Sequence, residues 1–167
     1  DANSCTKTAS QAVTEPVILS VGTSGTDAYC NGTCNGTSTA TPAGGVSPYV
    51  YAWNDPGFQI SSTATGLCAG TFNVTVTDAN SCLKTASYTV TQPSAISLTT
   101  ATTASTCGNL DGTASVSASG GTAPYNYLWS DAASQTNDTA IGLLAGGYSV
   151  TVTDANSCQK TVAVTVN

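Results

Sequence analysis

The chain predicts an all-β fold of tandem immunoglobulin-like sandwiches stapled by disulfides, and three features of the sequence predict it. Apolar residues alternate with period two, one octapeptide recurs, and the cysteines fall at matching places in the recurring units. The octapeptide is Thr75-Val76-Thr77-Asp78-Ala79-Asn80-Ser81-Cys82. It returns almost unchanged at Thr151 to Cys158, and its second half stands at Asp1 to Cys5. Cys5, Cys82 and Cys158 are therefore spaced by 77 and 76 residues (82 − 5 and 158 − 82), a period longer than that of a solenoid repeat and long enough for each unit to own a core.

The units follow from that period. Residues 1–16 match the closing segments of the later units and are expected to be the last strand of a truncated preceding repeat. Residues 17–93 and 94–167 are then two complete units. Glu15-Pro16 and Gln92-Pro93 fall at the joints, where proline ends a strand ladder and stiffens the connection. Because the chain opens in mid-repeat and carries no basic-then-apolar leader, it is expected to be a piece of something longer.

Within each unit the strands show as alternation. Leu19 and Val21, or Ile96 and Leu98, mark the first strand. Tyr49, Tyr51 and Trp53, or Tyr125, Tyr127 and Trp129, mark the third. Phe72, Val74 and Val76, or Tyr148, Val150 and Val152, mark the next to last, and Ala86, Tyr88 and Val90, or Val162, Val164 and Val166, the last. Turn clusters separate them, among them Gly44-Gly45, Asn54-Asp55-Pro56-Gly57, Gly120-Gly121 and Gly146-Gly147. Six or seven short strands with a tryptophan on the third read as an immunoglobulin-like sandwich. The two aromatic stripes lie opposite the valine-rich strands, so they are expected in the core, with tyrosine hydroxyls reaching the rim.

Composition narrows the functional class. Only 7% of the 167 residues are charged, histidine and methionine are absent, and the net charge is −6. An acidic, Thr-rich chain is a poor match for nucleic acid or anionic membrane, both of which attract clustered Lys and Arg. No apolar run reaches the 18 or so residues of a membrane-spanning helix. Acid/base catalysis wants a histidine or paired carboxylates in a cleft, whereas the acids here are scattered one per loop, so no enzyme is expected and no catalytic residue is assigned.

The seven cysteines suit oxidised staples, since a domain of about 75 residues is marginal on apolar burial alone. Four in one unit allow three pairings, and the internal repeat argues for one of them. Sliding the first unit by 76 sets Cys34 on Leu110 and Cys68 on Leu144, so one pair becomes two leucines together. Cys30 meets Cys107 within one residue, and Cys82 meets Cys158. The expected bridges are thus Cys30 with Cys82, Cys34 with Cys68, and Cys107 with Cys158. An apolar Leu110–Leu144 contact replaces the extra bridge, and Cys5 is left unpaired. Zinc is the weaker reading, because Cys30-Asn-Gly-Thr-Cys34 is only half a knuckle and the second unit keeps one cysteine of it. Calcium could be held by Asp78 with Asn80 and by Asp154 with Asn156. Two oxygens per loop fall short of the six a calcium site needs, so an Asx-type turn is expected there and no cofactor is assigned.

The residues Gly44-Gly45-Val-Ser-Pro48-Tyr49-Val-Tyr51-Ala-Trp53, then Gly66-Leu67-Cys-Ala69-Gly70-Thr71-Phe72-Asn-Val74 through Asp78-Ala79-Asn80-Ser-Cys82, together resemble the SprB-type repeat of long cell-surface adhesins of gliding Bacteroidota. The second unit carries the same signature at Gly120 to Trp129 and Gly142 to Cys158. The family commonly has Gly where Ser4, Ser81 and Ser157 stand, and the Cys34–Cys68 pair is an addition to its pattern. The resemblance implies an extracellular stalk or filament at the cell surface, with neighbouring repeats or other copies as partners and no catalytic residue. In such a host Asp138-Thr139-Ala140 resembles an O-glycosylation motif, which makes Thr139 a possible glycan carrier. Two other roles remain open at this stage: a carbohydrate-binding module that uses exposed aromatics to hold surface polysaccharide, and a fibre subunit assembled by exchange of the strand in residues 1–14.

Overall fold

The computed structural model describes residue 4 and residues 6–167. Twelve strands are present among them and no helix: β1 (Ser20–Thr26), β2 (Gly36–Ala43), β3 (Val50–Trp53), β4 (Thr63–Leu67), β5 (Gly70–Thr77), β6 (Leu83–Val90), β7 (Ser97–Thr103), β8 (Gly112–Ser119), β9 (Asn126–Trp129), β10 (Thr139–Leu143), β11 (Gly146–Thr153) and β12 (Gln159–Val166). The first six form sheets ordered β1-β2-β4 and β3-β5-β6. The last six repeat the plan as β7-β8-β10 and β9-β11-β12. Every pairing is antiparallel. Strands one, two and four in one sheet, with three, five and six in the other, is the immunoglobulin arrangement reduced to six strands.

The two sheets of a unit are needed because each strand is apolar on one side only. In β5 the residues Val74 and Val76 have no exposed surface while Thr75 and Thr77 between them stay partly open. β11 does the same with Val150 and Val152. The inward residues of both sheets meet in two separate clusters. One holds Trp53, Leu67, Val74, Val76 and Val90, the other Trp129, Leu143, Val150, Val152 and Val166. Fully burying one such side chain stabilises by about 1.5–3 kcal/mol, so these short lists carry each unit. On the outer faces threonines pair across strands, with hydroxyls 2.9 Å apart at Thr71–Thr89 and at Thr151–Thr161. Such pairs add register to a face that has no core to set it.

The tryptophans sit where the alternation places them, buried at the ends of β3 and β9. Each indole Nε1–H donates to a backbone carbonyl at 2.9 Å, that of Ser61 for Trp53 and that of Asn137 for Trp129. Tyr49, Tyr51, Tyr125 and Tyr127 are half-buried against the same clusters. The Tyr49 hydroxyl donates to the Gly44 carbonyl at 2.6 Å, and the Tyr125 hydroxyl donates to that of Gly120.

Two expectations are corrected. Cys30 is bonded to Cys158 rather than to Cys82, and Cys82 and Cys107 are both free and exposed. The reason is where each residue lies along its unit. Cys30 is in the β1–β2 loop, where the Ala28 amide meets the Thr91 carbonyl just past the end of β6, whereas Cys82 stands just before the start of β6. The eight residues of β6 span about 27 Å, against the roughly 7 Å between Cα atoms that a disulfide tolerates. The same distance separates Cys107 from Cys158. Leu110 and Leu144, 68% and 43% exposed, line one shallow surface hollow together. Finally, residues 6–19 form no strand. Residues 1–3 and Cys5, on which part of that expectation rested, lie outside the described residues.

Candidate functional site at the seam between units

The first unit ends and the second begins across a joint that is hydrogen-bonded and covalently closed. The β1–β2 loop, residues 27–35, reaches past the end of β6 and lies against the second unit. Its base is tied to its own unit: Thr91 N–H donates to Asp27 Oδ1 at 2.7 Å, and Ala28 N–H to the Thr91 carbonyl at 2.9 Å. Its tip grips the connecting segment. Asn31 Nδ2 donates to the Pro93 carbonyl at 3.0 Å, and Gly32 N–H donates to Gln92 Oε1 at 2.8 Å. Gly32 adopts φ of 75°, the left-handed conformation a glycine supplies most readily in a tight turn. Beyond the tip, Asn156 Nδ2 donates to the Tyr29 carbonyl at 3.0 Å, and Cys30 closes on Cys158 with their Cα atoms 5.7 Å apart. Cys34–Cys68 then pins the same loop to the connection between β4 and β5.

The receiving surface on the second unit is the recurring octapeptide. Asp154 Oδ1 accepts from the amides of Asn156 and Cys158, each at 2.9 Å, and Oδ2 accepts from the Thr122 amide at 2.9 Å. Asp78 repeats this in the first unit with the amides of Asn80, Cys82 and Val46. Both carboxylates are buried and turned inward on backbone N–H groups, the geometry of the Asx-type turn; their oxygens are committed to holding the turn on the double-glycine loop. That loop must come close: a Cβ at Gly45 would sit 2.7 Å from Asp78 Oδ2, and one at Gly121 would sit 2.7 Å from Asp154 Oδ2. The Val46 amide first, with those of Cys82 and Asn80, holds the Asp78 carboxyl below its ordinary range against the opposing effect of burial. Burial pushes Asp154 up, but the Thr122, Cys158 and Asn156 amides outweigh it and leave the group lowered.

A second carboxylate clasp was not foreseen. Asp55 accepts from the Gly57 and Gln59 amides and from Gln59 Nε2, each at 2.9 Å, while the Gln59 side-chain amide also donates to the Thr65 carbonyl and accepts from the Thr65 amide. Asp131 and Gln135 do the same with Ile141. The signal was present as Asp-x-x-x-Gln at 55–59 and 131–135. Thr139, the candidate glycan carrier, opens β10 half-buried, with its hydroxyl donating to Asp138 Oδ1 at 3.0 Å. Among the described residues no three His, Cys, Asp or Glu side chains converge as a metal site would need.

The SprB repeat family model matches residues 22–58 and 99–134. A curated relative, the decoration protein of Escherichia phage T5, is 45% identical over 67 residues, covering 33% of this chain and 41% of that protein. The chain thus spans about two fifths of the length of that relative. Among solved structures, the amphioxus IgVJ-C2 molecule aligns over 89% of this chain and 96% of its own at 10% identity, with a TM-score of 0.34. Murine CEACAM1b aligns over 89% and 99% at 13% identity, with a TM-score of 0.31. The two segments that match the SprB repeat occupy the same place in their units, from the first strand through the tryptophan strand.

Proposed function

We propose that this chain is a rod-forming segment of a bacterial cell-surface adhesin, a stalk that carries a binding tip away from the cell. The seam supports this reading above all. A proline-stiffened connection, a docked loop and the Cys30–Cys158 bond join one unit to the next at three points, which is what a load-bearing spacer requires and a flexible linker lacks. The polar, Thr-rich outer faces and the oxidised cysteines fit an oxidising, extracellular setting. The aromatic stripes serve the cores, so they contribute stiffness to each unit.

Small-angle scattering of the oxidised chain tests the rod. Each unit advances it by very roughly 35 Å, ten strand residues at about 3.4 Å each, so two units reach about 70 Å. A particle near 45 Å across, with the units folded side by side, would refute the rod.

A further inference from the structure

Among the described residues the seam bridge leaves Cys82 and Cys107 free, each at the place that its counterpart in the bridge takes in the other unit. Cys82 stands on the first unit where Cys158 stands on the second. Cys107 stands in the β7–β8 loop as Cys30 does in the β1–β2 loop, that loop being one residue shorter, 104–111 against 27–35. Both are exposed. We propose that Cys82 and Cys107 take part in a head-to-tail disulfide relay, in which the β7–β8 loop of one repeat docks on the Asp78–Cys82 turn of another and Cys107 bonds to Cys82. The proposal extends the rod reading by naming its longitudinal partner, a second copy of this repeat.

An independent feature marks the docking place. Beside Cys158 the seam encloses a crevice of about 440 Å³ between Pro93, Ile96 and Asp154 on one side and Cys30, Asn31 and Thr33 on the other. Beside Cys82 there is a crevice of about 430 Å³ lined by the corresponding Pro16, Leu19, Asp78 and Lys84. Its rim is apolar: Val17 and Leu83 are 76% and 67% exposed. The incoming loop offers Leu110, 68% exposed, three residues past Cys107. Asn80 also repeats Asn156, the residue that donates to the Tyr29 carbonyl at the closed seam.

Bond formation needs an acceptor for two electrons, and a low-molecular-weight disulfide supplies it. One thiolate attacks oxidised glutathione, releasing one reduced glutathione and leaving a mixed disulfide. The second thiolate displaces the other glutathione, so two protein thiols and one oxidised glutathione become one protein disulfide and two reduced glutathiones.

The test uses the whole chain with Cys5→Ser, concentrated with oxidised glutathione, run without reductant and mapped by mass spectrometry. The relay predicts a ladder in which Cys82–Cys107 links exceed Cys82–Cys82 and Cys107–Cys107 links together by at least about tenfold. It also predicts that a further Cys82→Ser or Cys107→Ser change removes the link altogether, so that the chain stays monomeric. A statistical mixture of links, or monomers merely capped by glutathione while Cys30–Cys158 stays intact, overturns it. Scattering on the unlinked chain reports the rod separately. A rod that makes no ladder refutes only the relay, and a ladder of folded-back particles refutes only the rod.

Discussion

Asn156 donates its side-chain amide to the Tyr29 carbonyl at 3.0 Å, two residues from the point where Cys158 closes on Cys30, so the seam carries a hydrogen bond that registers the units beside a covalent bond that holds them. The two have separable consequences. Cys30→Ser is expected to leave both cores intact while freeing the joint, seen as faster proteolysis near Pro93 with little change in either melting transition. Equal proteolysis of the two forms would mean that the hydrogen bonds alone hold the seam.

The Cys34–Cys68 bond acts inside one unit. Its loss through Cys34→Ser is expected to cost the first unit about 2–4 kcal/mol on the chain-entropy account, with the second unit, where Leu110 and Leu144 stand instead, unaffected. Calorimetry would show the first transition fall and the second stay. A shift of both would show that the units melt as one.

Ser38 is fully buried, and its Oγ has no hydrogen-bond partner. The second unit has Ala114 at that place, also fully buried. Ser38→Ala removes an unpaired polar group without opening a cavity of any size, so it should stabilise the first unit by about 1 kcal/mol. That corresponds to a rise of about 4–8 °C in its melting temperature. A fall would show that the hydroxyl is satisfied in solution.

Trp129 is the largest fully buried side chain and packs at the centre of the second cluster. Trp129→Ala should destabilise that unit by about 3–5 kcal/mol, most of the margin of so small a domain, and leave the first unit's transition in place. Unfolding of both units would place the seam, rather than the separate cores, in control of stability.

Acid should act through the carboxylates that hold the turns. Asp27, Asp55, Asp78, Asp111, Asp131 and Asp154 all have their acidity raised, with pKa values lowered from the ordinary 3.8 by backbone and side-chain donors. Near that pH the unfolded chain therefore binds more protons than the folded one. The stability these groups contribute is full above about pH 5 and is lost as pH falls through the lowered values. Melting temperatures should be level between pH 7 and 5 and drop below about pH 4. A steady decline from pH 7 would point to groups other than these aspartates.

The strands were legible because burial on one face of a sheet forces period two, and Val74, Val76, Val150 and Val152 obey it with no exposed surface. The Asp78 and Asp154 turns were legible for a similar reason, since an aspartate can reach the amides two and four residues on without help from the rest of the fold. Gln59 and Gln135 were missed although their spacing repeats, because a glutamine's role depends on the strand that folds beside it. Cys34 with Cys68 followed from the paired change to Leu110 and Leu144, but the leucines themselves stay exposed.

By itself, the order of residues determined that this protein is a double unit of short strands, which positions face inward, and that its cysteines recur with the unit. Only the tertiary structure decided which sulfurs meet. Cys30 and Cys82 lie at opposite ends of one sandwich, whereas Cys30 and Cys158 lie on the two sides of one seam. A disulfide forms across a few ångströms, and that proximity is created by the packing of two units, which the alternation within either one does not encode.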